Sequence, residues 1–167
     1  MADGHIISCI RNLTQACEQM ENPMGTRWGC SLRIIVMASS PGWTPMRNFE
    51  AKAIVDKEIS YTTVGGRFSP SIDIDLTRQV VILSVAGANG FCLSVPAGSF
   101  RQTGLGGYVA WAVRKSSKTA ILLQPFSRGD WTYSVSIEGF VPESTPVTVS
   151  LTIGCQVGKA KVKTYEV

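Results

Sequence analysis

Residues 131–153 constrain this chain more than any other stretch. Trp131, Tyr133, Val135 and Ile137 alternate with Thr132, Ser134, Ser136 and Glu138. After a turn-rich connection, Val147, Val149, Leu151 and Ile153 alternate with Thr148, Ser150 and Thr152. A period of two puts one set of side chains on a dry face and the other in water, the pattern of strands buried on one side. A helix would spread the same residues around its circumference. The stretch reads as two β-strands.

From residue 54 onward further strand candidates follow at short intervals: 54–64, 80–86, 91–95, 107–113, 119–123 and 159–165. Turn chemistry separates them at Gly65-Gly66, 87–90, 96–98, 115–117, Arg128-Gly129-Asp130 and 155–158. Many short strands with almost no helical pattern predict a sandwich or barrel. Tyr61, Phe68 and Pro70 match Tyr133, Phe140 and Pro142 at a constant offset of 72. Val81-Leu83-Val85 then corresponds to Val147-Val149-Leu151, so a weak internal duplication is expected.

The first 46 residues differ. They hold all five methionines, three of the five cysteines and the single histidine, His5. Ile6, Ile10, Leu13, Cys17 and Met20 fall on one stripe of an amphipathic helix, with Asp3 placed to cap it and Asn22-Pro23 to end it. The expected organisation is an N-terminal extension over 1–46, with helix and linker, followed by a β-sandwich domain over 47–167. The composition break at Met46 further suggests that the first 45 residues are a poorly integrated extension, upstream of a natural start. The Asn12-Leu13-Thr14 sequon, on a helix with no secretory signal, reads as chance.

Charge and composition narrow the function. A net charge of +4 falls short of the dense basic surface of nucleic-acid binders. No apolar run has the 18 or so residues of a membrane span, and no signal peptide is recognisable in the chain. Cys9, Cys17, Cys30, Cys92 and Cys155 are odd in number and lack CxxC spacing, so they read as buried or free thiols rather than a complete disulfide framework or, with His5, a zinc site. No cofactor is implied.

Candidate sites are few. Arg128-Gly129-Asp130 spells an adhesive tripeptide at a hairpin tip, although Gly-Asp is also ordinary turn chemistry. Asp73 and Asp75 have a DxD spacing that offers a Ca²⁺ ion two carboxylates, too few alone. Gly104 to Gly107 resembles a phosphate loop only superficially, because a strand follows it. Lys159, Lys161 and Lys163 alternate along the last strand, as guards of an exposed edge. Tyr108, Trp111, Phe126, Trp131 and Tyr133 offer a stacking platform for sugars, but alternation places most of them inward. With His5 outside the β region, no nucleophile–base pair involving histidine is available to it.

The segments Leu93 to Phe100, Gly107-Tyr108 and Pro146 to Gly154 resemble a signature in exported bacterial proteins, IPAGSF … GxY … NPVTVTLTIGDD, found in tandem β-sandwich repeats without assigned function. The resemblance covers about residues 57–165. It departs at Cys155-Gln156, where those proteins often carry two acidic residues, which takes away the ligands of a cation site at that turn. It implies an extracellular or cell-surface setting. The expectation is an all-β, immunoglobulin-like or related antiparallel sandwich with an N-terminal helical extension, acting as a non-catalytic binding or structural module of a bacterial surface or secreted protein, with a protein or glycan partner. The alternatives are a hydrolase with a carboxylate site in the sandwich loops, or a small subunit that forms homo-oligomers through the N-terminal helix.

Overall fold

The structure, a computed structural model, describes residues 42–114 and 117–167. The expected N-terminal helix, its oligomer stripe, His5 and the first three cysteines lie outside the described residues. Among the described residues twelve strands form two sheets packed face to face. The first sheet orders β1 (Thr44–Pro45), β11 (Gln156–Val162), β10 (Val147–Ile153), β4 (Val81–Ala86) and β5 (Phe91–Val95). The second orders β12 (Thr164–Glu166), β2 (Lys52–Asp56), β3 (Tyr61–Phe68), β9 (Trp131–Glu138), β8 (Ser117–Pro125), β7 (Tyr108–Arg114) and β6 (Arg101–Gln102). The all-β sandwich expected from the alternation is the fold observed.

The two strands with the clearest alternation, β9 and β10, enter different sheets. From β9, Tyr133, Val135 and Ile137 point into the core; from β10, Val147, Val149, Leu151 and Ile153 meet them from the other side. Phe68, Leu83, Ile121 and Leu123 complete the same cluster. Burying such apolar area stabilises the fold by about 25 cal/mol per Å².

The sheets are mixed rather than antiparallel throughout, which corrects the sequence expectation. β1 joins β11 in parallel, with Thr44 opposite Gln156, and β12 joins β2 in parallel, with Thr164 opposite Ala53. Both additions are made by chain that crosses from sheet to sheet, the connection parallel pairing requires. The crossing at Lys163 also divides the expected last strand into β11 and β12. Lys159 and Lys161 therefore share the outer face of β11, while Lys163 sits at the crossing.

Two strand boundaries differ from expectation for local reasons. The expected strand over 54–64 is broken at 57–60, where the Asp56 carboxylate accepts the amides of Glu58 (3.0 Å) and Ile59 (3.3 Å) and Ser60 takes φ 54°. Gly65-Gly66, expected as a turn, lies inside β3, opposite Ser134 and Tyr133. A Cβ at Gly66 would stand 2.0 Å from the Glu50 carbonyl oxygen, so this glycine admits a crossing backbone. That crossing segment, 46–51, buries Met46 and stacks Phe49 on Tyr133 with ring centroids 5.6 Å apart. Thr44 to Met46, grouped by composition with the extension, are thus built into the sandwich.

The strand order has an approximate two-fold character. Val64 pairs with Val135 between β3 and β9, Ser84 pairs with Ser150 between β4 and β10, and hairpins β2–β3 and β8–β9 flank the first junction. The equivalence at offset 72 does not survive on β3, however. Thr62 and Val64 face inward there, whereas Tyr133 and Val135 do so on β9, so Tyr61 and Tyr133 lie on opposite faces. An odd shift would be needed to keep faces in step, because side chains alternate with period two.

Candidate functional site

Arg47 and Ser69 exchange two backbone hydrogen bonds (2.9 and 2.8 Å), fastening the entry segment to the end of β3. Asn48 follows in the left-handed region at φ 50°, which asparagine tolerates better than most residues. Its amide donates to Ser69 Oγ (3.1 Å), and Ser69 Oγ donates to Asp130 Oδ1 (2.7 Å). Asp130 closes the β8–β9 hairpin: its carbonyl accepts the Phe126 amide (2.7 Å), and its own amide donates to Ser127 (3.3 Å). Arg128 (φ 62°) and Gly129 (φ 84°) form the tip between them.

The opposite wall is the loop 70–73. Gln156, 1% exposed at the start of β11, holds it: its side-chain oxygen accepts the amides of Ser71 (2.6 Å) and Ile72 (3.0 Å), and its Nε2 donates to the Ile72 carbonyl (2.8 Å). Ser71 Oγ donates to the Pro45 carbonyl (2.8 Å) and an Arg47 guanidinium nitrogen donates to the Pro70 carbonyl (3.3 Å). Between these walls lies an open cleft of about 740 Å³, lined by Arg47, Asn48, Ser71, Asp73, Arg128 and Asp130 among others.

The structure thus brings the tripeptide Arg128-Gly129-Asp130 and Asp73 to one place and leaves Asp75 out. The Asp130 carboxylate is used internally by Ser69, while Arg128 stands at the mouth. Asp75 accepts Thr77 N (3.0 Å) and Thr77 Oγ1 (2.5 Å); the Thr77 hydrogen bonds hold its carboxyl below the usual aspartate range, with Arg78 adding to them. Asp75 serves its own turn and Arg78, and it does not line the cleft that Asp73 lines. Among the described residues no three His, Cys, Asp or Glu side chains are grouped to hold a metal ion.

Neither arginine of the cleft is in an ion pair among the described residues. The cleft therefore offers the Arg128 guanidinium, the Arg47 guanidinium with one nitrogen turned to the Pro70 carbonyl, a carboxylate at Asp73, and amide and hydroxyl groups at Asn48 and Ser71. That set can bind a polar ligand with an anionic end and several hydroxyls. Arg47, Asn48, Ser69, Ser71 and Gln156 escaped sequence reasoning; the only local signal was an asparagine beside an arginine at the domain boundary.

A second groove of about 750 Å³ runs over the outer face of β2, β3 and β9. Two of its charges pair with each other: Glu50 takes two hydrogen bonds from Arg67 (3.0 Å each), which hold that guanidinium above its ordinary pKa. The aromatics divide. Tyr133 is core, and Tyr108 and Trp131, stacked 6.0 Å apart, pack against the core, so most of the set lies inward as expected; Trp111 (63% exposed) and Phe126 (57%) project outward. The odd positions of β7 past Val109 face solvent, because this sheet is packed on one side only. Gly104 to Gly107 is a turn closed by Thr103, whose amide donates to the Gly107 carbonyl (2.7 Å).

Cys92 and Cys155 are both disulfide-bonded, which corrects their reading as free thiols. No helix among the described residues is long and apolar enough to cross a membrane. Set against protein-family models, curated proteins and solved structures, the chain matches none.

Proposed function

We propose that this chain is a non-catalytic binding module of a bacterial surface or secreted protein, and that the cleft between Arg47 and Arg128 takes an acidic saccharide. The observation that carries the reading is the pair of arginines, neither in an ion pair among the described residues, over a hydrogen-bonded floor of Asn48, Ser69 and Asp130. A sugar carboxylate would meet the guanidiniums, and ring hydroxyls would meet Asp73, Asn48 and Ser71. The disulfide-bonded cysteines support the extracellular setting, where disulfides persist. The resemblance of Leu93 to Phe100 and Pro146 to Gly154 to a motif of exported bacterial proteins is in keeping with it.

NMR titration with glucuronic-acid oligosaccharides, beside neutral glucose oligomers, tests this. Shifts should gather at Arg47, Ser71, Asp73 and Arg128 for the acidic series and vanish in Arg128→Ala. Absence of any shift, or shifts confined to the Trp111 face, would remove the proposal. That exposed face, Trp111 and Val113 with Leu122 alongside, favours a second reading, a self-associating subunit. Sedimentation showing a concentration-dependent dimer abolished by Trp111→Ser would select it.

A further inference from the structure

At its centre, along β4 and β10, the five-stranded sheet is buried on both faces, and the described core explains only one; toward its edge Lys159, opposite Ser150, and Lys161 are exposed. Val81, Leu83, Val85, Leu151 and Ile153 point into the cluster between the sheets. Ile82 (8% exposed), Ser84 (3%), Ser150 (5%) and Thr152 (4%) alternate with them on the other face, and none belongs to that cluster. The corresponding outer face of the seven-stranded sheet leaves Trp111 63% exposed. Something covers the centre of β4 and β10 from outside.

The cysteines say what it is. Cys92 pairs in register with Ser84, and Ser84 with Ser150, so Cys92 lies two strands from β10, about 10 Å. Cys155 lies in the turn before Gln156, which pairs with Ile153 three residues past Ser150, and so is about 10 Å or more further along the sheet. Disulfide-linked Cα atoms are about 4.4–6.8 Å apart. Cys92 and Cys155 are both disulfide-bonded yet too far apart to bond to each other. The chain's other cysteines are Cys9, Cys17 and Cys30, all in the segment that reaches the sandwich beside Cys155, where the Thr44 amide donates to the Cys155 carbonyl (2.9 Å).

We propose that the outer face of the five-stranded sheet is the docking surface for the chain's own residues 1–41, fastened by disulfides from Cys92 and Cys155 to two of Cys9, Cys17 and Cys30. The face is made of small side chains, Ser84, Ser94, Ser150 and Thr152 around Ile82. In each bridge two thiols lose two protons and two electrons to a disulfide oxidant, itself reduced to two thiols by exchange. Two bridges use four of the five cysteines and leave one N-terminal thiol.

Trypsin mapping without reduction decides it, because each cysteine falls in its own peptide: 1–11, 12–27, 28–33, 79–101 and 129–159. The expected result is 79–101 and 129–159 each linked to a different N-terminal peptide, with one thiol free to alkylation. Linkage of 79–101 to 129–159, both thiols alkylated without reduction, or a covalent dimer on a non-reducing gel would overturn it. Hydroxyl-radical footprinting tests the covering itself. In Cys92→Ser/Cys155→Ser, modification of Ile82 should rise several-fold while inward-facing Leu83 stays protected. Ile82 still protected beside a protected Leu83 would overturn the covering. If Leu83 is exposed too, the variant has unfolded, and the wild-type disulfide map alone decides for or against the proposal.

Discussion

Replacing Gln156 tests how the cleft is held. Its side chain takes the place of a neighbouring strand for loop 70–73, accepting two amides and donating to one carbonyl while 1% exposed. Gln156→Ala leaves Ser71 N, Ile72 N and Ile72 O without partners. A hydrogen bond nets about 1 kcal/mol, and a buried group stranded without its partner costs about 1–3 kcal/mol. The loop borders an open cleft, so water recovers part of this, and the expected loss is about 3 kcal/mol. Gln156→Met keeps nearly the same volume and loses the same three bonds, so it should lose about 2 kcal/mol or more. Urea unfolding at neutral pH measures both, with the slope m unchanged if only stability moves. Hydrogen exchange should quicken at the Ser71 and Ile72 amides in both variants. If the Met variant unfolds within about 0.5 kcal/mol of the parent, in the range of an inert surface change, the bonds do not hold the loop and the reasoning fails.

Four further outcomes follow from the same geometry. Gly66→Ala drives a Cβ onto the Glu50 carbonyl and should cost about 3 kcal/mol, at the upper end of overpacking, read as a lowered urea midpoint. Tyr133→Phe removes the hydroxyl donated to Glu50 O (3.1 Å) and should cost about 1 kcal/mol. Burial pushes the Tyr133 phenol up, so its stabilising effect is complete below the unfolded pKa of about 10 and falls as pH rises above it. Alkaline unfolding monitored by phenolate absorbance should therefore be less steep in the Phe variant. The Asp75 carboxyl, held down chiefly by Thr77, contributes stability above its unfolded pKa and loses it as pH falls through the folded one; carbon NMR should show its midpoint rise in Thr77→Val. Trp111→Ser, on an exposed face, should change the unfolding free energy by less than about 0.5 kcal/mol.

Much of the fold was legible because alternation is a local property. Val135 and Ile137, or Val149 and Leu151, announce an inner face whatever lies opposite. The breaks were less legible. Gly65-Gly66 has turn composition, yet it lies mid-strand because Glu50, from an earlier part of the chain, crosses above it. The outward position of Trp111 was not legible, because alternation identifies two faces without saying whether the second is covered. The tripeptide Arg128-Gly129-Asp130 and Asp73 were visible as separate features, and nothing local joins them. Their meeting depends on Arg47 bridging Ser69, and on Ser69 reaching Asp130 across 61 residues.

The sequence by itself determined the all-β class, the inward residues of each strand and most turns, since period-two burial and turn chemistry act between near neighbours. Tertiary structure alone decided the parallel edge pairings, the covered outer face over Ser84 and Ser150, and the cleft. Each of these is set by groups far apart in sequence; the edge pairings and the cleft are held by backbone and side-chain hydrogen bonds that only the assembled sheets supply. Gln156 shows the difference. In the sequence it is the residue after a cysteine in a turn; in the fold its three hydrogen bonds hold one wall of the cleft.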